Sequence, residues 1–163
     1  MPPLFTKLLA ERLAAQSGQL VKEGEHGEVV KSGVVYLAPG GSHMTVQRDK
    51  TDVRVVLNED PPENFCRPAV DVLFRGLADV YGGDVFATVL TGMGHDGSLG
   101  AQVLADAGAR IAVQDPQSCV VPSMPSGVIA AGAAHSTLSL EEIGRELDRA
   151  GNGSPPKAAG GIR

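Results

Sequence analysis

The chain has 163 residues, 42% of them hydrophobic, which is enough to bury one sizeable core and too apolar for disorder over most of its length. Its 19 acidic and 14 basic residues, a formal charge of −5, are mixed along the chain, leaving no basic stripe to bind nucleic acid. No apolar run approaches the roughly 18 residues that cross a bilayer, and Lys7, Glu11 and Arg12 interrupt the N-terminus, unlike a secretory leader; a cytoplasmic chain without membrane insertion is expected.

Leu4, Phe5, Leu8, Leu9 and Leu13 are spaced for one buried helical face, with Thr6 available as N-cap, so a helix is expected from about Lys7 to Gln16, stopped by Gly18. Residues from about 19 to 60 change texture. Short β-branched or alternating segments separated by Gly, Pro, Asp and Lys clusters predict a β-rich excursion with tight turns. Pro68 suits the first position of a second helix, whose face would carry Val70, Leu73, Phe74, Leu77 and Tyr81.

Beyond it the pattern becomes regular. Strands are expected over 85–91, 109–114 and 135–140, and helices over 98–107, 125–131 and 140–150. Strands alternating with helices imply a doubly wound α/β fold: a mostly parallel sheet with helices on both faces. Residues 1–150 are read as one domain. The segment GNGSPPKAAGGIR, 151–163, has too few apolar groups to offset ordering entropy and reads as a flexible tail or linker.

In an open parallel sheet, ligands bind at the carboxyl ends of the strands, and the stretch LTGMGHDG, Leu90–Gly97, lies at such an end. Its glycines let backbone approach a ligand and leave N–H groups for an anion or developing oxyanion. Gly92, Met93, Gly94 and Asp96 are therefore candidate site residues. Asp followed by Gly and a helix is also ordinary capping chemistry, so both readings of Asp96 stand at this point. His95 is expected to be exposed, since neighbouring loop residues usually point apart.

Nucleophile signals are weak. No G-x-S-x-G elbow occurs; Ser42, Ser98, Ser118, Ser123 and Ser126 fall where serine caps turns and helices. Cys66 and Cys119 lack CxxC spacing and are expected as free thiols, Cys119 being more simply a small buried residue than a nucleophile. His26, His43 and His135 are scattered, with no metal-site spacing. No metal and no organic cofactor is expected.

Taken in order, MPPLFTKLLAERL, VVYLAPGGSHM, RPAVDVLF, LTGMGHDG and QDPQSCVVPSMP closely resemble the catalytic domain of the chemotaxis protein-glutamate methylesterases (CheB-type) over about residues 1–148. The resemblance implies a hydrolase that cleaves glutamate γ-methyl esters on the cytoplasmic helices of chemoreceptors, in many members also deamidating glutamines, by Ser-His-Asp acyl-enzyme chemistry. It makes Asp96 the triad aspartate and places Gly92, Met93 and Gly94 in the loop lining the oxyanion site. The family's serine lies in a turn after its first strand and its histidine directly before the segment matching Met1, Pro2 and Pro3. Neither is present here, so a domain lacking its first strand is expected, inactive as written. A non-catalytic receptor-binding module of the same fold is the alternative. The family commonly carries an N-terminal receiver domain, a candidate partner in a longer protein.

Overall fold

The computed structural model describes residues 2–151; the expected tail, apart from Gly151, lies outside them. The chain forms two compact units, one up to Val80 and one from Tyr81 onward.

The first unit opens with α1 (Pro3–Ser17), closed by Gly18, whose left-handed backbone (φ 68°) lets its N–H reach Ala14 O. The helix starts four residues earlier than the spacing predicts. Pro2 holds the N-cap position, and Thr6, the expected cap, is instead buried, its Oγ1 accepting a hydrogen bond from the Gly40 N–H at 2.9 Å. The expected apolar face is also corrected: Leu4, Phe5, Leu8 and Leu13 are exposed, while Thr6 and Ala10 are buried.

Strands β1 (Leu20–Glu23) and β2 (Val34–Leu37) pair in parallel, whereas β3 (His43–Asp49) and β4 (Asp52–Asn58) form an antiparallel hairpin. The β-rich excursion is therefore present, although only the hairpin has the expected tight turn. Helix α2 (Val70–Tyr81) begins two residues after Pro68, and the Ala69 N–H just ahead of it donates to Nδ1 of buried His43 at 3.2 Å. Phe74 is buried on α2; Val70, Leu73, Leu77 and Tyr81 are half-buried.

The second unit is a regular α/β succession: β5 (Phe86–Val89), α3 (Ser98–Asp106), β6 (Arg110–Gln114), α4 (Ser123–Ala130), β7 (Ser136–Leu138) and α5 (Leu140–Gly151). The three strands form a parallel sheet in the order β5-β6-β7. Ile111, Ala112 and Val113 are successive and fully buried, so β6 is covered on both faces, as an apolar parallel strand must be. Helices α3 and α4 pack on each other and on β6, and α5 lies against all three strands. This is the α/β fold expected, consistent with a doubly wound arrangement.

Candidate active site

The loop Leu90–Gly97 leaves the carboxyl end of β5 and enters α3. Two of its glycines have backbone angles that strongly favour glycine, Gly94 at φ 94° and Gly97 at φ 89°. Gly97 is itself the N-cap residue of α3 and offers no side-chain cap. Asp96 stands one residue earlier, 6% exposed. A carboxylate this buried is costly unless its surroundings satisfy it, which fits a built position better than a solvated turn.

A second segment braces the loop. The Gly92 N–H donates to Val121 O at 2.9 Å, and Gly92 O accepts from the Met124 N–H at 3.2 Å and the Ser123 hydroxyl at 3.0 Å. Thr91 adds a reciprocal pair, its Oγ1 donating to Val121 O at 3.1 Å and accepting from Val121 N at 3.0 Å. Gly92 is thus spent on structure and is not a free oxyanion donor. A Cβ built on it would stand 2.3 Å from Met124 Sδ, so any side chain at this position would have to displace the methionine. The Met93 and Gly94 N–H groups have no acceptor among the described residues. Met93 itself is 84% exposed.

The remaining candidates are dispersed. His95 is exposed, as expected. Cys66 and Cys119 are free and half-buried, with Cys119 Sγ donating to Asp115 O at 3.4 Å. The rings of His26, His43 and His135 bond only backbone groups. Among the described residues no serine hydroxyl bonds a histidine ring, and no group of three or more His, Cys, Asp and Glu side chains could hold a metal ion. Sequence reasoning missed Gln114. It is buried at the end of β6 and bonds both the Asp96 loop and Ser118, just ahead of the bracing segment; its signal was a polar residue following the apolar run Ile111–Val113.

A parallel α/β sheet with a buried carboxylate in a glycine-rich loop at a strand's carboxyl end places that loop where α/β proteins bind their ligands. The chain matches the family model described as CheB methylesterase over residues 1–147 and belongs to that family. Relatives include the protein-glutamate methylesterase/protein-glutamine glutaminase of Maricaulis maris, 47% identical over 94% of this chain and 38% of the relative. The protein of the same name from Nitrobacter winogradskyi is 46% identical over 94% of this chain and 36% of the relative. The chain thus spans less than two-fifths of these curated relatives. The crystal structure of the Thermotoga maritima CheB methylesterase catalytic domain superposes with a TM-score of 0.87 at 41% identity, covering 90% of this chain and 78% of that one.

Proposed function

We propose that this chain supplies the aspartate-bearing part of a protein-glutamate methylesterase, which hydrolyses glutamate γ-methyl esters on the cytoplasmic helices of chemoreceptors and, as the relatives' names suggest, deamidates glutamines. The observation that carries this is Asp96, buried in a glycine loop beside the unspent Met93 and Gly94 N–H groups at the carboxyl end of β5. Asp96 accepts a hydrogen bond from a histidine ring. It thereby fixes the tautomer that deprotonates a serine and stabilises the imidazolium formed during attack. Met93 and Gly94 present donors to the oxyanion of the tetrahedral intermediate, a contribution that matters because charge develops there only in the transition state. The chemistry calls for no metal or organic cofactor, its setting is the cytoplasm, and a receiver domain is a candidate regulatory partner.

The serine and histidine of such a triad match no residue of the 163. The chain alone is therefore expected to release no methanol from methylated receptor. In a methylesterase that contains this chain together with a serine and a histidine, Asp96→Asn should lower kcat by about 10³- to 10⁴-fold with the fold intact. Methanol release by the 163-residue chain that Asp96→Ala abolishes would overturn the first expectation, and an unchanged kcat in Asp96→Asn would overturn the role of Asp96. A second reading is a receptor-binding module of the same fold without chemistry. It predicts receptor binding by the chain with no hydrolysis when serine and histidine are supplied.

A further inference from the structure

Strand β6 runs Ile111, Ala112 and Val113 through the core and ends on Gln114, which is only 1% exposed. A buried primary amide is costly unless both its ends are satisfied, and here they are. Its Oε1 accepts the Thr91 backbone N–H at 2.9 Å, while its Nε2 donates to Ser118 O and to Ser118 Oγ, both at 3.2 Å. Ser118 is fixed in turn by donating from Oγ to Asp115 O at 2.8 Å. A single planar group therefore joins Thr91, two residues beyond β5, to Ser118, three residues ahead of the segment that braces Gly92.

We propose that Gln114 is a positioning residue of the active site: its amide clamps Thr91 to Ser118 and so sets the path of the loop carrying Met93, Gly94 and Asp96. Gln114 touches no reacting atom. It acts through Thr91, whose side chain and neighbour Gly92 then lock onto Val121, Ser123 and Met124. The clamp demands an acceptor at one end and a donor at the other. Leucine fills much of the volume but offers neither. Glutamate keeps the shape; protonated, it can still accept from Thr91 and donate to Ser118, but ionised it sets a negative oxygen against the Ser118 carbonyl. Gln114 has a catalytic consequence only if the Asp96 loop functions as proposed, whereas the clamp can be tested without any activity.

The test is amide hydrogen exchange by NMR on the 163-residue chain and on Gln114→Leu and Gln114→Glu, read as protection factors. In Gln114→Leu the Thr91 amide should lose about tenfold in protection, roughly what one net hydrogen bond supplies, while Val89 and Val113 keep theirs. In Gln114→Glu the Thr91 N–H should keep its acceptor at every pH, while ionisation removes the donor to Ser118, so the Ser118 and Cys119 amide resonances should shift along one titration together with those of Gly92–Asp96. A side chain that merely fills space has no reason to follow that titration. Ser118 and Cys119 resonances in Gln114→Glu that do not move with those of Gly92–Asp96 along one titration overturn the clamp, and this arm decides the matter even where Gln114→Leu does not fold. A pH-dependent clamp together with an unchanged kcat in Asp96→Asn would leave Gln114's structural role standing and remove its catalytic meaning, so the two failures are separable.

Discussion

Gly76 on α2 lies so close to Thr45 on β3 that a Cβ built on the glycine would stand 1.8 Å from the threonine Oγ1 and 3.3 Å from the Val46 backbone nitrogen. The helix can rest on the hairpin at that distance only because Gly76 has no side chain. Gly76→Ala should therefore destabilise the chain by about 1–3 kcal/mol through overpacking, despite alanine's better helix propensity. Gly144, inside α5 with nothing within 4 Å of its built Cβ, is the control: Gly144→Ala should stabilise by about 0.5–1 kcal/mol. Denaturant midpoints of the two variants should move in opposite directions.

Phe65 is one of three non-glycine residues of the first unit with a left-handed backbone, with Lys50 and Asn64. Glu63 and Cys66 exchange both backbone hydrogen bonds, at 3.1 and 2.8 Å, around Asn64 and Phe65, whose φ angles are 52° and 62°. Such a two-residue turn suits Asn followed by Gly, yet here a fully exposed phenylalanine holds the glycine position. The turn is anchored from outside by the paired Arg75–Glu63 bonds of 2.7 and 2.6 Å and by Asn64 Nδ2 on Asp71 at 2.8 Å. A left-handed non-glycine residue costs about 1–2 kcal/mol. Phe65→Gly should accordingly be more stable than Phe65→Ala by about 1 kcal/mol; equal thermal midpoints for the two variants would show that the turn carries no such strain.

The same contrast between local and non-local causes explains what the sequence disclosed. The alternation from Phe86 to Gly151 was legible because each strand and helix there has its own period and stop signal, and the parallel sheet follows from their order. Thr6 misled because its local meaning, a cap, was overridden by a distant partner, the Gly40 N–H, while Pro68 stands two residues ahead of the helix it was expected to open. Asp96 could be located but not interpreted from spacing, since a cap and a triad carboxylate look alike in sequence, and its burial is a property that spacing does not carry. Gln114 was invisible as a clamp because both its partners, Thr91 and Ser118, become neighbours only through the fold.

Gly94 separates loop geometry from loop packing. Its φ is 94°, and nothing lies within 4 Å of a Cβ built on it, so a side chain there meets backbone strain and no clash. Gly94→Ala should cost about 1–2 kcal/mol if the loop keeps its path. The cheaper response is for the peptide to rotate, which would re-aim the Met93 and Gly94 N–H groups. The expected result is a thermal midpoint lowered modestly, accompanied in the active methylesterase by a fall in kcat larger than any change in KM. A fall in KM-linked binding alone, with kcat preserved, would remove these N–H groups from the oxyanion site.

Ser139 and Glu142 form a reciprocal cap at the start of α5. The Ser139 N–H and hydroxyl both donate to Glu142 Oε2 at 2.9 Å, and Ser139 Oγ accepts from the Glu142 N–H at 3.3 Å, the S-x-x-E capping box. These bonds, the backbone one foremost, hold the Glu142 carboxyl below its ordinary value of 4.5. Because the folded value is the lower one, the linked stabilisation is fully present above the unfolded carboxylate's titration and is lost as pH falls through the folded value. Glutamine can still accept the two Ser139 bonds but does not titrate. The stability difference between the parent and Glu142→Gln should therefore be constant above about pH 5 and shrink toward acid, where the protonated glutamate resembles glutamine. Ser139→Ala should cost about 1 kcal/mol at neutral pH by removing the cap oxygen. Chemical denaturation of all three proteins from pH 3 to 7 measures this directly, and a parent–Glu142→Gln difference that does not change with pH would mean that the capping bonds leave the carboxyl's titration untouched.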